Sequence, residues 1–337
     1  MARDNGMVNP VLLTAGRGDG FESEHRGAYC VLRGSDVVAR AGDVDAPVFV
    51  RSGAKWLQAL PGLLAGVVER FGLEDRHLAL MCASHGGEPE HVAAAAEMLE
   101  RAGIGSERLG CGAHAPLHSR SAFRLRAAGE EPTVLHNNCS GKHAGMLLAA
   151  RARGEQLDGY LDVDHPLQRA IHDLVQDLAE VDTQALTHAV DGCSAPTWVL
   201  PLIGAARAFK NHGTPASRLG PAVADAASRL HAAVAHDPHM VGGTDRFCSA
   251  LVRVTSGRVL GKVGAEGFYG VMIPGADVGV ALHVDSGAWQ ASERIMPHLL
   301  HRHGLLTETE LAALDAHAGL VRRNWAGHVV GHFQVHL

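Results

Sequence analysis

Short apolar runs near the start of the chain and after residue 258 are bounded by glycine, proline or aspartate, which is typical of strands in an antiparallel sheet. The predicted strands are 27–33 and 37–40, which flank a turn at Gly34-Ser35-Asp36, and 259–263, 267–273 and 278–284, which follow one another. Another compact apolar run, 77–82, predicts a strand that ends just before Ser84.

Helical periodicity dominates the rest of the chain. The predicted helices are 53–71, 89–102, 143–153, 166–180, 197–210, 217–235, 244–254, 289–302 and 307–318. Pro61 should kink or divide the first of them, and 103–132 should be irregular. Strands near both ends with a helical middle predict an α+β fold, in which helices flank one antiparallel sheet. We expect a single domain over 1–337, with a helical subdomain near 89–245.

Composition and charge narrow the function classes. Hydrophobic residues make up 46% and aromatic residues only 4%, so the core should consist mostly of Ala, Leu and Val. The net charge of −6 and the lack of a Lys/Arg cluster argue against nucleic-acid binding. No apolar run reaches the roughly 18 residues of a membrane helix, and residues 1–6 carry no apolar signal core. We therefore expect a cytoplasmic protein whose six cysteines are thiols or metal ligands.

Lysine is rare in this chain. Lys and Arg together number 30, yet the lysines are only Lys55, Lys142, Lys210 and Lys262. Arginine keeps its proton in proteins, whereas lysine can lose it and then act as a base or a ligand. Lysines in so arginine-rich a chain are therefore candidates for work that needs a neutral amine.

The segment 133–148 is the most unusual stretch. A short β-favouring approach leads into a turn that contains Cys139 and Lys142, and an apolar helix follows. Asn138 or Ser140 could cap that helix. A position at a helix N-terminus lowers the pKa of a thiol and of an ammonium alike. The alternative is a buried apolar cysteine beside a solvated lysine.

Two serines lie in settings that suit nucleophilic catalysis. Ser52 precedes Lys55 by three positions, the Ser-x-x-Lys spacing of penicillin-recognising serine hydrolases, in which a neutral lysine can take the serine proton. Ser84 lies in a glycine-containing turn, and Lys262 lies on a predicted strand that could overlook it. The alternatives are a helix cap with a solvated lysine, and an ordinary turn with an edge-strand lysine.

Cys193 lies, like Cys139, in a turn before a predicted helix. Two thiolates with one further donor can bind zinc and leave a fourth position open. The spacing by itself does not indicate a metal, and His143 would be a more ordinary ligand than Lys142. The other cysteines are interpreted as packing residues: Cys30, Cys82, Cys111 and Cys248.

In chain order, these motifs resemble the asparaginase II family of rhizobial type. They are Arg51-Ser52-x-x-Lys55, Ser84-His-Gly-Gly, the stretch from His136 to Met146, Asp191-Gly-Cys-Ser-Ala-Pro and the Gly261-Lys262 strand. The resemblance covers nearly the whole chain. It implies a fold related to serine β-lactamases and glutaminases, a homodimer, and hydrolysis of L-asparagine to L-aspartate and ammonia.

The resemblance also implies roles for individual residues. It implies two Ser–Lys pairs, Ser52/Lys55 and Ser84/Lys262, a zinc site at Cys139, Lys142 and Cys193, and substrate contacts from Arg51, His143 and Asp191. Two other classes remain open. A penicillin-recognising peptidase or β-lactamase would share the Ser-x-x-Lys motif but not the thiols, and a non-catalytic zinc-stabilised binding protein would share the thiols.

Overall fold

Both ends of the chain build one antiparallel sheet in the computed structural model, which describes residues 8–182, 187–215 and 219–337. Its strands are β1 (Val11–Arg17), β2 (Gly20–Arg33), β3 (Asp36–Ala41), β7 (Leu260–Val263), β8 (Phe268–Ile273), β9 (Val278–Val284), β10 (Val321–Arg323) and β11 (Val329–Val335). Their order is β10-β11-β1-β2-β9-β8-β7, with β3 paired to β2. The α+β prediction is thereby confirmed.

The predicted hairpin is formed by β2 and β3, and the predicted triplet by β7, β8 and β9. In that triplet Lys262 pairs with Gly270 across β7 and β8. The strands β1, β10 and β11 were not predicted. The outer strand β10 is largely exposed and polar, so it lacks the buried apolar face by which a strand is recognised.

A smaller three-stranded sheet contains β4 (Pro47–Phe49), β6 (Pro196–Pro201) and β5 (Thr187–Val190), in that order. The predicted helix 197–210 is therefore wrong over its first residues, because the β-branched and aromatic run Thr197-Trp198-Val199 pairs with β4 and β5. The helix begins at Leu202.

The helices are α1 (Lys55–Leu64), α2 (Val67–Phe71), α3 (Asp75–Met81), α4 (Pro89–Arg101), α5 (Ser119–Ala127), α6 (Ser140–Arg153), α7 (Pro166–Ala179), α8 (Leu202–Gly213), α9 (Pro221–His236), α10 (His239–Gly242), α11 (Phe247–Val254), α12 (Trp289–Arg302), α13 (Glu308–Ala313) and α14 (Asp315–Ala318). Most predicted helices are present. The helix α5 lies within the segment predicted to be irregular. Part of the predicted helix 217–235 lies outside the described residues.

The predicted strand 77–82 is wrong, because these residues belong to α3. The backbone N–H of Glu74 donates to His77 Nδ1 at 3.0 Å and caps this helix. The helix packs against α6 and α9 and is buried from His77 to Met81. A short segment that is apolar on every face has no periodicity to distinguish a buried helix from a strand. Ser84 consequently follows a helix and not a strand.

Three local predictions also differ from the structure. The first long helix is divided at Gly66, with φ +71°, whereas Pro61 lies inside α1. The expected β-like approach to the 133–148 turn is a 3-10 turn over Val134–His136. The N-cap of α6 is Cys139, without a side-chain hydrogen bond, so neither Asn138 nor Ser140 caps it.

The helix α8 packs directly on β8, β9 and β2. Glycines in the sheet permit this close approach. A Cβ on Gly270 would lie 2.1 Å from the Phe209 ring, and one on Gly279 would lie 2.2 Å from the Ala206 carbonyl oxygen. The sheet and α8 therefore meet at backbone distance, which fixes β7 and Lys262 relative to the helices.

Within the described residues, none of the helices is long and apolar enough to cross a bilayer. Residues 1–7, on which the expectation about a signal segment rests, lie outside the described residues.

Candidate active site

Ser84 is the meeting point of two lysines. Its Oγ lies 2.9 Å from Lys55 Nζ and 2.9 Å from Lys262 Nζ. The residue is only 5% exposed, and its backbone N–H donates to the Val241 carbonyl at 3.0 Å. A hydroxyl held between two amines can accept a proton from one and pass its own to the other.

Lys55 lies at the start of α1 and is buried. Besides Ser84, its ammonium donates to the Ala83 carbonyl and lies 3.2 Å from Cys139 Sγ. These three acceptors compensate the burial of its charge. Lys55 therefore connects the serine to the thiol cluster.

Lys262 lies on β7, fully buried, and its Nζ also donates to the Val263 carbonyl at 3.0 Å. Burial, aided by the positive charge of Lys55, lowers the pKa of Lys262 to about 7. A large fraction of this amine is therefore neutral near pH 7, which is the condition that a general base requires.

Ser52 occupies a 3-10 turn, Arg51–Ala54, immediately before α1, and it is half-buried. The Lys55 backbone N–H donates to the Ser52 carbonyl, but Lys55 Nζ points to Ser84. Among the hydrogen bonds of the described residues, none joins Ser52 Oγ to Lys55 Nζ. Of the two Ser–Lys contacts expected from the resemblance, Ser84–Lys262 is present and Ser52–Lys55 is not.

Arg51 and Asp191 form an ion pair, with Nε and Nη2 of the arginine 2.7 and 2.6 Å from Oδ1 of the carboxylate. Burial would raise the pKa of Asp191, but the hydrogen bond and charge of Arg51 outweigh it and lower the pKa. Arg51 has φ +48°, a conformation that costs roughly 1–3 kcal/mol for a residue with a side chain. The chain thus holds a strained arginine directly before Ser52.

Cys139, Lys142 and Cys193 meet on the other side of Lys55. Lys142 Nζ lies 2.9 Å from Cys193 Sγ. The neighbouring Cys193 and the charges of Lys55 and Lys142 lower the pKa of Cys139 well below its usual value, whereas the neighbouring Cys139 and burial raise the pKa of Cys193. Burial alone would lower the pKa of Lys142, but the adjacent sulfurs raise it. The expected direction is therefore confirmed for the thiol of Cys139, although the causes are Cys193 and the two lysines and not the helix N-terminus; for the ammonium of Lys142 the expectation is wrong.

His143 adds an imidazole to this group. Its Nδ1 lies 2.6 Å from Tyr160 Oη, whereas its Nε2 is buried without a hydrogen-bond partner among the described residues. Burial, with the charge of Lys142, lowers the pKa of His143 to about 4, so the ring is neutral. Two sulfurs and the Lys142 amine suit a borderline-soft divalent ion such as zinc, provided that Lys142 gives up its proton.

Two residues that join this site were not found from the sequence. Tyr160 orients His143 and receives a hydrogen bond from the Gly110 backbone. His85 lies 3.0 Å from Ser140 Oγ and its backbone N–H donates to the Asn138 carbonyl, which ties the Ser84 turn to the start of α6. The only available signals were the scarcity of tyrosine and the proximity of His85 to Ser84.

The profile of the Asparaginase_II family, described as L-asparaginase II, matches residues 13–335. A comparison with curated proteins gives no match. Among solved structures, a Bacteroides dorei protein with a provisional β-lactamase assignment is 13% identical with TM-score 0.41, covering 77% of this chain and 85% of that one. A β-lactamase from Mycobacterium bovis is 13% identical with TM-score 0.41, covering 82% of this chain and 94% of that one.

Proposed function

The chain belongs to the L-asparaginase II family, and from this premise we propose that it hydrolyses L-asparagine to L-aspartate and ammonia through a serine acyl-enzyme. The observation that carries the proposal is the buried Lys55–Ser84–Lys262 arrangement, with both amines 2.9 Å from one hydroxyl. Such an arrangement serves proton transfer and has no evident structural need, since a buried lysine costs stability.

The Arg51–Asp191 pair is proposed to bind the amino-acid end of the substrate. The arginine fork suits the α-carboxylate, and the aspartate suits the α-ammonium. In the free protein these two side chains bind each other. A zwitterionic ligand would replace this single ion pair with two, which would favour substrates that carry both charges.

Ser52 is proposed as the nucleophile, because it is half-buried and reachable, whereas Ser84 is 5% exposed and held by both lysines. Ser52 Oγ attacks the side-chain amide carbon; as its proton moves to Lys55, Lys55 passes one on through Ser84 Oγ to the neutral amine of Lys262. The Ser84 relay carries a proton to the leaving nitrogen, the C–N bond breaks, and ammonia departs. Water then attacks the ester carbon, the C–O bond breaks, and the proton returns to Ser52.

Cys139, Lys142 and Cys193 are proposed to hold a zinc ion, with His143 beside them. When bound, zinc would supply a fixed positive charge near the substrate and would tie the turns of Cys139 and Cys193 together. The chemical step is assigned to the serines and lysines. As in the family, we propose a homodimer, which light scattering of the purified chain would test.

The decisive experiment measures ammonia release from L-asparagine and L-glutamine, with zinc quantified on the same sample. We expect release from asparagine, and a smaller rate with glutamine if the pocket excludes the extra methylene. Ser52→Ala should abolish release while zinc content is retained. Hydrolysis of nitrocefin without ammonia release from either amide would instead indicate a penicillin-recognising hydrolase, and inactivity toward all three compounds would favour a binding protein.

A further inference from the structure

A second group of metal-binding side chains lies beyond the Ser84 turn, away from the thiols. Glu88, His91 and His239 each offer one ligand atom, and these atoms lie within 4.8 Å of one another. We propose that these three residues bind a divalent transition-metal ion of the zinc class, at a site separate from Cys139, Lys142 and Cys193. The inference concerns different residues and does not depend on the proposed reaction.

The carboxylate is already held in place. Glu88 is the N-cap residue of α4 and is 6% exposed. One of its oxygens accepts from the Thr244 backbone N–H and the other from Thr244 Oγ1, both at 2.7 Å. These bonds fix the orientation of the carboxylate and leave each oxygen a second lone pair for a cation.

The hydrogen bonds of His91 define its tautomer. Its Nδ1 accepts from the Glu88 backbone N–H at a long 3.3 Å, so the proton must be on Nε2, which donates to the His239 carbonyl at 3.2 Å. The Nδ1 lone pair is therefore directed at the Glu88 backbone N–H, and a metal ion at Nδ1 would replace this long hydrogen bond. A backbone carbonyl that holds the opposite N–H is the usual support of a metal-bound imidazole.

His239 completes the group from the start of α10. Its Nε2 lies 3.9 Å from Glu88 Oε1, and its side chain is 33% exposed, so an ion can reach the site from solvent. His118 is a fourth candidate, with Nδ1 3.6 Å from Glu88 Oε2. Tetrahedral zinc with bonds of about 2.1 Å places its ligand atoms roughly 3.4 Å apart. The observed spacings thus require side-chain shifts of an ångström or so.

The donor types determine the ion. Two or three imidazoles with one carboxylate, and no sulfur, suit zinc, cobalt or ferrous iron better than magnesium or calcium, which prefer oxygen ligands. The site joins α4 to the segment 239–244, which also contains Val241, the acceptor for the Ser84 N–H. A bound ion would therefore hold the segment that accepts the Ser84 N–H against the start of α4.

The test titrates Co²⁺ and Zn²⁺ into the full-length double variant Cys139→Ser/Cys193→Ser after chelator treatment. We expect one equivalent of Co²⁺ to bind with ligand-field bands but without the near-ultraviolet sulfur-to-cobalt band that thiolates produce. We also expect Zn²⁺ to raise the melting temperature of this variant. Absence of cobalt binding would overturn the proposal.

Residue assignment uses two further variants in the same background. His239→Ala and Glu88→Gln should each weaken Co²⁺ binding by about tenfold or more, while His328→Ala, which removes an exposed histidine, should leave it unchanged. If the double variant does not fold, His239→Ala in the otherwise unchanged chain should lower cobalt stoichiometry by one equivalent without reducing any sulfur-to-cobalt band. Unchanged stoichiometry and affinity in His239→Ala would refute the assignment.

Discussion

Replacing Lys262 with methionine should stabilise the fold while abolishing turnover. Burial lowers the pKa of Lys262 from 10.5 to about 7. At roughly 1.36 kcal/mol per pKa unit, keeping this group in the folded protein at pH 7 costs up to about 4–5 kcal/mol relative to a neutral side chain. The substitution loses hydrogen bonds to Ser84 Oγ and the Val263 carbonyl, worth about 1–1.5 kcal/mol each. The expected net gain is therefore about 2 kcal/mol.

The pH dependence of the free energy of unfolding gives the sharper test. Contributions from groups that titrate alike in both proteins cancel when the two are compared. Between pH 7 and 10.5 the unfolded chain keeps the Lys262 proton and the folded chain does not. The free energy of unfolding of the wild type should therefore rise with pH through this group, by up to about 1.36 kcal/mol per unit. The methionine variant lacks this contribution. Its stability advantage should shrink by roughly 2–3 kcal/mol between pH 7 and pH 9.

Urea denaturation of both proteins at pH 7 and pH 9 measures this difference, and ammonia release measures the loss of activity. Lys210→Met is the matched control, because Lys210 Nζ donates to the Gly34 carbonyl, away from both serines. The control should show neither the gain at pH 7 nor its loss at pH 9. The reasoning would be refuted if the Lys262→Met protein were less stable than the wild type at pH 7 and the difference in free energy of unfolding did not change with pH. Lys262 would then not be a buried amine with a pKa near 7.

Three other predictions concern the candidate active site. Ser52→Ala should reduce ammonia release to background with the melting temperature nearly unchanged, and retained turnover would reject Ser52 as the nucleophile. Cys139→Ser should lose zinc and raise KM for asparagine, which metal analysis by mass spectrometry and steady-state kinetics would measure; unchanged zinc content would reject this ligand. The rate at low substrate should increase as pH rises through about 7, because Lys262 loses its proton there and only the neutral amine accepts another; a flat profile from pH 6 to 8 would exclude Lys262 as a base.

Much of the fold and several candidate residues could be predicted from local sequence. The turn at Gly34 and the strands from 260 to 284 have their own patterns of apolar residues bounded by turn formers, and so do helices such as α4 and α7. The scarcity of lysine identified Lys55 and Lys262 as candidates, because the distinction between an amine and a guanidinium is a property of the residue itself.

Other features depend on what surrounds a segment. The apolar residues 77–81 could have formed a strand or a helix, and burial between α6 and α9 decided for a helix. Lys55 points to Ser84 and not to Ser52, because Ala83, Ser84 and Cys139 supply the acceptors that a buried ammonium needs. These acceptors lie up to 84 residues away along the chain.

Both candidate metal sites and the Arg51–Asp191 pair also depend on residues that are distant along the chain. Spacing along the chain does not reveal that Cys139 meets Cys193, or that Glu88 meets His239. Their side chains are brought together by the packing of helices and turns that are distant in sequence. Residue identity is enough to say which groups can ionise, donate a hydrogen bond or bind a metal. Their partners follow from the fold, because a side chain's orientation and the cost of its burial depend on neighbours that no local pattern specifies.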